Sequence, residues 1–400
     1  MKYIVILCDG MADETLENLG GRTPLEAART EHMDRLAAKA EIGMVRTVPQ
    51  GMAPGSDTAN LSVIGYDPKI YYSGRSPLEA LSIGAEMGEN DVSFRCNLVT
   101  LSEDQEQYED RIILDHSSGE ISTEEAAVLV EALKEGLAKE GYTFYVGTSY
   151  RHLLIQRDGQ LTDLTAPHDI LTRRIGEYLP QDEVLRDMMI RSYQILKDHP
   201  INVKRKSEGK NPANSTWFWG AGTRPALTSF EEKNGVKGAM ISAVDLLKGI
   251  AVGAGMHNIT VKGADGGLHT NYAGKAAAAV KALTEDGYDF VYVHIEAPDE
   301  MGHQGSAEDK IKAIEYIDDQ VIGPVADGLS AAGTDFRMLI LPDHPTPVSV
   351  RTHTSDPVPY LLYDSTKEAE GCSVYCERTG RESGRILEEG YRLIDYLLKG

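Results

Sequence analysis

Short apolar runs alternate with stretches of helical spacing along most of the chain. Residues 3–7 form a continuous apolar run of strand length, and residues 24–40 follow with Leu25, Ala28, Met33 and Leu36 at helical intervals. The rhythm returns three times. Residues 237–242 lead into a helical stretch at 243–254, residues 288–295 precede a helix over about 307–331, and residues 336–341 run directly into Asp343. Strands alternating with helices of this length predict an α/β fold, a mainly parallel sheet sandwiched by helices. Residues 383–398 are expected to close it as an amphipathic helix, with Ile386, Tyr391, Leu393, Ile394 and Leu397 toward the core.

The middle of the chain breaks this rhythm. Strand signals crowd together at 92–101, 111–114, 143–148 and 152–156, with helices at about 123–139 and 182–197. This predicts an inserted smaller α+β domain over residues 91–204, with residues 1–90 and 205–400 making a discontinuous main domain. The polar stretch 202–214, with Lys204, Arg205, Lys206 and Lys210, reads as a return linker, a cleft rim or a solvated basic loop.

Composition narrows the function. The 400 residues are 41% hydrophobic and 26% charged, ordinary for a globular chain with more than one domain, and no apolar span reaches membrane length. Residues 1–10 lack a small-residue cleavage site and end at Asp9-Gly10, so they read as a strand, and a cytoplasmic protein is expected. With 40 basic against 62 acidic residues, the formal charge of −22 repels nucleic acid and anionic membranes. An anionic substrate would have to be held locally, by metal ions or a few basic side chains. The four cysteines do not form a zinc pattern and are expected to be reduced.

Candidate chemistry sits just after the apolar runs. Asp9 follows the first, Asp343-His344 the last, and Asp299 and His303 stand four residues apart, on one face if that stretch is helical. His353 lies in a polar loop with no core to fill. Each alone reads equally as a turn cap or a structural side chain; as a set at strand ends they read as a two-metal site. A second signal is the Gly- and Pro-bearing loop at 51–55, which delivers Ser56 to the start of a helix. Ser56 is either a plain cap or, beside metals, a nucleophile toward phosphorus, with the helix N-terminus stabilising the phosphorylated product. Thr58 is the fallback nucleophile. Candidates for holding an anionic substrate are Arg75, Arg151 and Arg224, with Lys262 and Lys275 as weaker ones. His116, His152 and His168 are candidate acids or bases.

Taken together, Asp9, the Gly55-Ser-Asp-Thr-Ala-Asn60 string, Asp299 with His303, Asp343-His344 and the stretch from His353 to Pro359 resemble the alkaline phosphatase superfamily. More narrowly, with Arg22-Thr-Pro-Leu-Glu-Ala27 and Phe94-Arg-Cys-Asn97, they resemble the archaeal-type 2,3-bisphosphoglycerate-independent phosphoglycerate mutases. The resemblance implies an alkaline phosphatase-like core with an inserted lid domain. It implies one divalent ion on Asp299, His303 and His353, another on Asp9, Asp343, His344 and Ser56, and Ser56 as the catalytic nucleophile. Mn2+ (manganese) is the expected metal, with Zn2+, Co2+ or Mg2+ as alternatives, and no 2,3-bisphosphoglycerate is needed. Asn97 and His116 join the substrate candidates. Cys8, Ala297-Pro298 and Asp115-His116 depart from the family pattern, the last where a basic pair is expected, so the resemblance bears on the metal site more than on the substrate contacts.

The implied function is interconversion of 3-phosphoglycerate and 2-phosphoglycerate through a phosphoserine, an isomerase activity on a small phosphorylated anion. Two alternatives share the same residues. One is a phosphotransferase with another acceptor, such as a homoserine kinase, although no Gly-x-x-x-x-Gly-Lys-Ser/Thr loop is present. The other is a non-catalytic metal-binding or regulatory protein. The oligomeric state is not encoded in any of these signals.

Overall fold

The computed structural model describes residues 1–367 and 370–400. Its strands, in chain order, are β1 (Lys2–Cys8), β2 (Ala40–Val45), β3 (Val92–Leu101), β4 (Ile113–Asp115), β5 (Tyr142–Thr148), β6 (Arg151–Gln156), β7 (Ser215–Thr223), β8 (Gly238–Ile241), β9 (His257–Asn258), β10 (Phe290–Ile295), β11 (Phe336–Leu341), β12 (Val358–Asp364) and β13 (Ile386–Leu387). They divide between two compact units, Met1–Tyr72 with Ala226–Gly400, and Ser73–Pro225.

The larger unit is built on a sheet of order β13-β2-β12-β11-β1-β10-β8-β9. Strands β11, β1, β10, β8 and β9 run parallel, whereas β12 is antiparallel to both its neighbours. Successive residues Ile4, Val5, Ile6 and Leu7 of β1 are all fully buried, so both faces of the sheet are covered. That is why the central strands read as unbroken apolar runs without alternation. Register then fixes the site: Cys8 pairs with Ile295 on one side and Leu7 with Leu341 on the other, so the three strands end level. Whatever follows Cys8, Ile295 and Leu341 is delivered to one edge.

The smaller unit is antiparallel. Its ten-residue central strand β3, buried along its whole length, pairs with β4, β6 and β7, and β5 pairs with β6. Helices Thr123–Gly136 and Glu183–Leu196 contribute Leu129, Val130, Leu133, Leu185, Met188 and Met189 to its core. The unit starts at Ser73 and ends at Pro225, where the sequence had suggested 91 and 204. The cause is pairing: β7 hydrogen-bonds along β3 from Val99 back to Val92, and helix Arg75–Ser82 packs against both strands.

Two further expectations differ. The basic stretch near 202–214 begins as helix Pro200–Ser207, and Arg205 is buried, donating to Asn211 O, Ser118 O and Glu125. Arg205 is thus a structural anchor, whereas Lys204, Lys206 and Lys210 are exposed, as a solvated segment would have them. The closing segment is not one helix: Ile386 and Leu387 add an edge strand to β2, a short turn follows, and only Leu393–Lys399 is α-helical. Edge pairing outweighed an amphipathic pattern already weakened by Gly384 and Gly390.

Candidate metal centre

The strand ends carry the site. Asp9 follows β1 and turns through Gly10, whose φ of +60° lies in the left-handed region. A Cβ on Gly10 would fall 2.6 Å from Asp299 Oδ1 and 2.7 Å from Asp299 Cα, so a bare backbone here is what lets the two loops meet. The Gly10 N–H donates to Asp343 Oδ1 at 3.1 Å. Asp299 and His303 lie one turn apart on helix Ala297–Gln304, with Pro298 in its first turn, and His303 Nε2 is 3.2 Å from Asp299 Oδ2.

Two donor groups result. Single ligand atoms of Asp9, Asp343 and His344 lie within 4.8 Å of one another, and so do those of Asp299, His344 and His353. His344 Nε2 stands 3.6 Å from Asp9 Oδ1, 3.4 Å from Asp343 Oδ2 and 3.2 Å from Ser56 Oγ. His353 Nε2 is 3.4 Å from Asp299 Oδ1 and 3.0 Å from His303 Nε2. The structure therefore brings together Asp9, Ser56, Asp299, His303, Asp343, His344 and His353 at one edge of the large sheet.

This set fits divalent cations on its own chemistry. Mixed carboxylate oxygen and imidazole nitrogen donors suit Mn2+, Zn2+ and their neighbours. Asp9 Oδ1 is buried with no hydrogen-bond partner among the described residues, a position a cation would satisfy. Burial, followed by the nearby Asp343, Asp299 and Glu296 carboxylates, pushes Asp9 well above the usual carboxylate range. Burial also pushes Asp299 up, but hydrogen bonds from His303 and His353 outweigh it and hold Asp299 well below that range. The same contact to Asp299 raises His303 to about 9, whereas burial lowers His344. A dication would remove the repulsion that Asp9 now meets.

Several residues of this centre were not singled out from the sequence. Asn60 Nδ2 donates to Asp343 Oδ2 and to Ser56 O, both at 2.8 Å, tying helix Ser56–Ile64 to the strand end. Its Oδ1 accepts from Tyr292 OH at 2.6 Å. Thr346 Oγ1 donates to Asp299 Oδ1 at 2.5 Å. His294, inside the apolar run of β10, sits 2.9 Å from Asp9 Oδ2. The Asn60 spacing, one turn after Ser56, was the one readable hint.

The smaller unit gathers most of the other candidates. Arg75 and Arg95 share Glu79, at 3.2 and 3.0 Å, and the Arg95 guanidinium lies 4.3 Å from the Trp219 ring centre. His168 meets Trp219 edge-on at 5.2 Å, His116 stands 6.1 Å from His168 and 5.7 Å from Tyr150, and Arg151 lies over Tyr150. Asn97 is buried beneath them, accepting from Trp219 Nε1 and donating to His116 O. Arg95 and Trp219 were not singled out from the sequence. Arg224 donates to Met87 O, and His152 is buried in the sheet. Lys275 departs from the expected substrate contact. It is fully buried in helix Tyr272–Thr284 and donates to His294 O at 2.8 Å, so it supports the strand behind Asp9.

A family model described as 2,3-bisphosphoglycerate-independent phosphoglycerate mutase matches residues 37–202. The chain is similar over its whole length, and over the whole of each relative, to a probable 2,3-bisphosphoglycerate-independent phosphoglycerate mutase of Geobacter sulfurreducens at 48% identity and to the enzyme of that name from Methanosarcina barkeri at 47%. Among solved structures, the PH0037 protein of Pyrococcus horikoshii aligns with all of this chain and 96% of its own, at TM-score 0.81 and 30% identity. The cofactor-independent phosphoglycerate mutase of Thermoplasma acidophilum aligns with all of this chain and 99% of its own, at TM-score 0.67 and 28% identity.

Proposed function

From the premise that the chain belongs to the 2,3-bisphosphoglycerate-independent phosphoglycerate mutase family, we propose that it interconverts 3-phosphoglycerate and 2-phosphoglycerate through a phosphoserine on Ser56. The observation that carries this reading is the position of Ser56. Its hydroxyl stands at the first residue of a helix, at the positive end of the helix dipole, and lies 3.2 Å from His344 at the junction of both donor groups.

Asp9, Asp343 and His344 would hold one divalent ion, with Ser56 beside it, and Asp299, His303 and His353 the other. Bound there, the ions would favour the ionised serine and offset the charge of the transferring phosphoryl group. Ser56 Oγ forms the new P–O bond as the bond to the C3 oxygen breaks, leaving glycerate with a free 3-hydroxyl. Glycerate reorients, its 2-hydroxyl oxygen takes the group back, and the Ser56 hydroxyl is restored. No water is consumed or released. Asn60 holds Ser56 and Asp343 in one frame during both half-reactions. Within the smaller unit, Arg75, Arg151 and His116 are proposed as anion-recognising side chains, and Asn97 holds the His116 carbonyl.

The substrate is thus a small phosphorylated anion, and among the described residues no helix is long and apolar enough to cross a membrane. Neither the homoserine kinase nor the non-catalytic reading gains support from the relatives. The test is to follow 31P spectra of metal-loaded protein with 3-phosphoglycerate, and separately with homoserine and ATP. Conversion to 2-phosphoglycerate is expected in the first sample. Phosphorylation of homoserine without mutase turnover would refute the proposal.

A further inference from the structure

Behind Asp9 lies a hydrogen-bond chain made of residues outside both donor groups. His294 is fully buried on β10, paired in register with Leu7 two residues before Asp9. Its Nε2 is 2.9 Å from Asp9 Oδ2 and its Nδ1 is 3.2 Å from Ser242 Oγ. An Asp9 that binds a cation is ionised, so Oδ2 can only accept and Nε2 must carry the proton. Ser242 Oγ already accepts the Val244 N–H at 3.0 Å, which leaves its own hydrogen to donate to Nδ1. Every donor and acceptor in the chain is then matched with the imidazole in its Nε2–H tautomer. The backbone of His294 is fixed too, since the buried Lys275 Nζ donates to its carbonyl.

The consequence falls on Asp9. A carboxylate can rotate about Cβ–Cγ and can bind a cation through one oxygen or both. The bond from His294 satisfies Oδ2 and leaves Oδ1, buried with no hydrogen-bond partner among the described residues, 3.6 Å from His344 Nε2. We infer that His294 is a positioning residue that presents Asp9 to the cation through Oδ1 alone, and that Ser242 sets the tautomer which allows it. The inference rests on the two-metal reading above.

Binding can be measured without turnover. Metal-stripped protein is titrated with Co2+, following heat and the visible absorption of the bound ion, with Asp343→Asn and His353→Ala each marking one of two steps. His294→Leu is expected to weaken the step that Asp343→Asn removes by about 10–100-fold and to spare the step that His353→Ala removes. His294→Gln, whose amide can still donate to Oδ2, should recover most of the loss. Ser242→Ala, a small change unlike the loss of an imidazole, should weaken the same step by less. Two undisturbed steps in His294→Leu and Ser242→Ala overturn the inference, and so does equal weakening of both steps with no recovery in His294→Gln. Two undisturbed steps would leave the metal reading standing, whereas a wild-type chain that takes up no Co2+ would refute that reading itself.

Discussion

Ser56 Oγ lies 3.2 Å from His344 Nε2, and His344 is the one residue common to both donor groups. Thr58, the other hydroxyl near the helix start, is placed differently: it is buried and its Oγ1 donates to Gly55 O at 3.1 Å. The two hydroxyls are therefore not interchangeable. Ser56→Ala is expected to lower mutase turnover on the order of 10⁴-fold or more, because it removes the proposed phosphoryl acceptor. Thr58→Val should keep turnover within several-fold and cost about 1 kcal/mol of stability for one lost hydrogen bond. Coupled assays and urea unfolding of the two variants check this; a Ser56→Ala enzyme that still turns over would remove the covalent route.

Three carboxylates and three imidazoles at one sheet edge make the metal-free protein carry its own repulsion there, most of it on Asp9. Binding to the folded state alone should raise stability by about 2.7 kcal/mol at a hundredfold excess over Kd. For a unit of this size each kcal/mol moves Tm by about 2–4 °C. Chelation should therefore abolish turnover and lower the melting temperature, and added Mn2+ should restore both. Differential scanning calorimetry at stepped Mn2+ concentrations gives the answer, with an unchanged Tm as the contrary result.

The clustering of the donor side chains was legible because these residues occupy positions that strand and helix geometry make special. Asp9 and Asp343 follow runs buried on both faces, and Asp299 and His303 share a helix face at i and i+4. Helix Ala307–Ile317, the π turn after it and helix Gly323–Ala331 also follow the pattern over 307–331. The supporting residues were hidden for the opposite reason. His294 sits between Val293 and Ile295 and reads as one more core position, and Lys275 is followed by a run of alanines. What sets their roles is a partner far along the chain: Asp9 for His294, and the His294 carbonyl for Lys275. The domain boundaries failed similarly, since nothing local says that β7 pairs with β3.

Lys310 carries a buried charge paired with Asp13 Oδ2 at 2.7 Å, and both side chains are wholly inaccessible. The same Nζ donates to Ala12 O at 3.2 Å and Thr346 O at 2.9 Å, clamping the loop after β1 to the loop after β11. Lys310→Met leaves Asp13 buried without its cation and should cost about 3–5 kcal/mol. Adding Asp13→Asn should recover part of that loss, because the stranded charge is removed. Urea unfolding of both single variants and the double variant forms a cycle, and strict additivity would show that the pair does not act as a unit.

His152 makes the smaller unit sensitive to acid. The Gly147 N–H donates to its Nδ1 at 3.1 Å, so the neutral ring carries its proton on Nε2, which is buried without a partner among the described residues. Burial lowers its pKa to about 4, the Arg151 charge adds to this, and a contact with the Ser149 backbone opposes it. An unfolded histidine titrates near about 6.5, so between these values the unfolded chain binds the extra proton and the folded one does not. The associated stability is fully present above about pH 6.5 and is lost as pH falls toward 4, by an amount on the order of 3 kcal/mol. In His152→Asn the amide oxygen can accept from Gly147 but cannot titrate in this range. The stability difference between wild type and this variant should shrink in the variant's favour from pH 7 to pH 4.5, read from urea unfolding at each pH. A difference that stays constant across that window would show that His152 takes up its proton equally in the folded and unfolded chain.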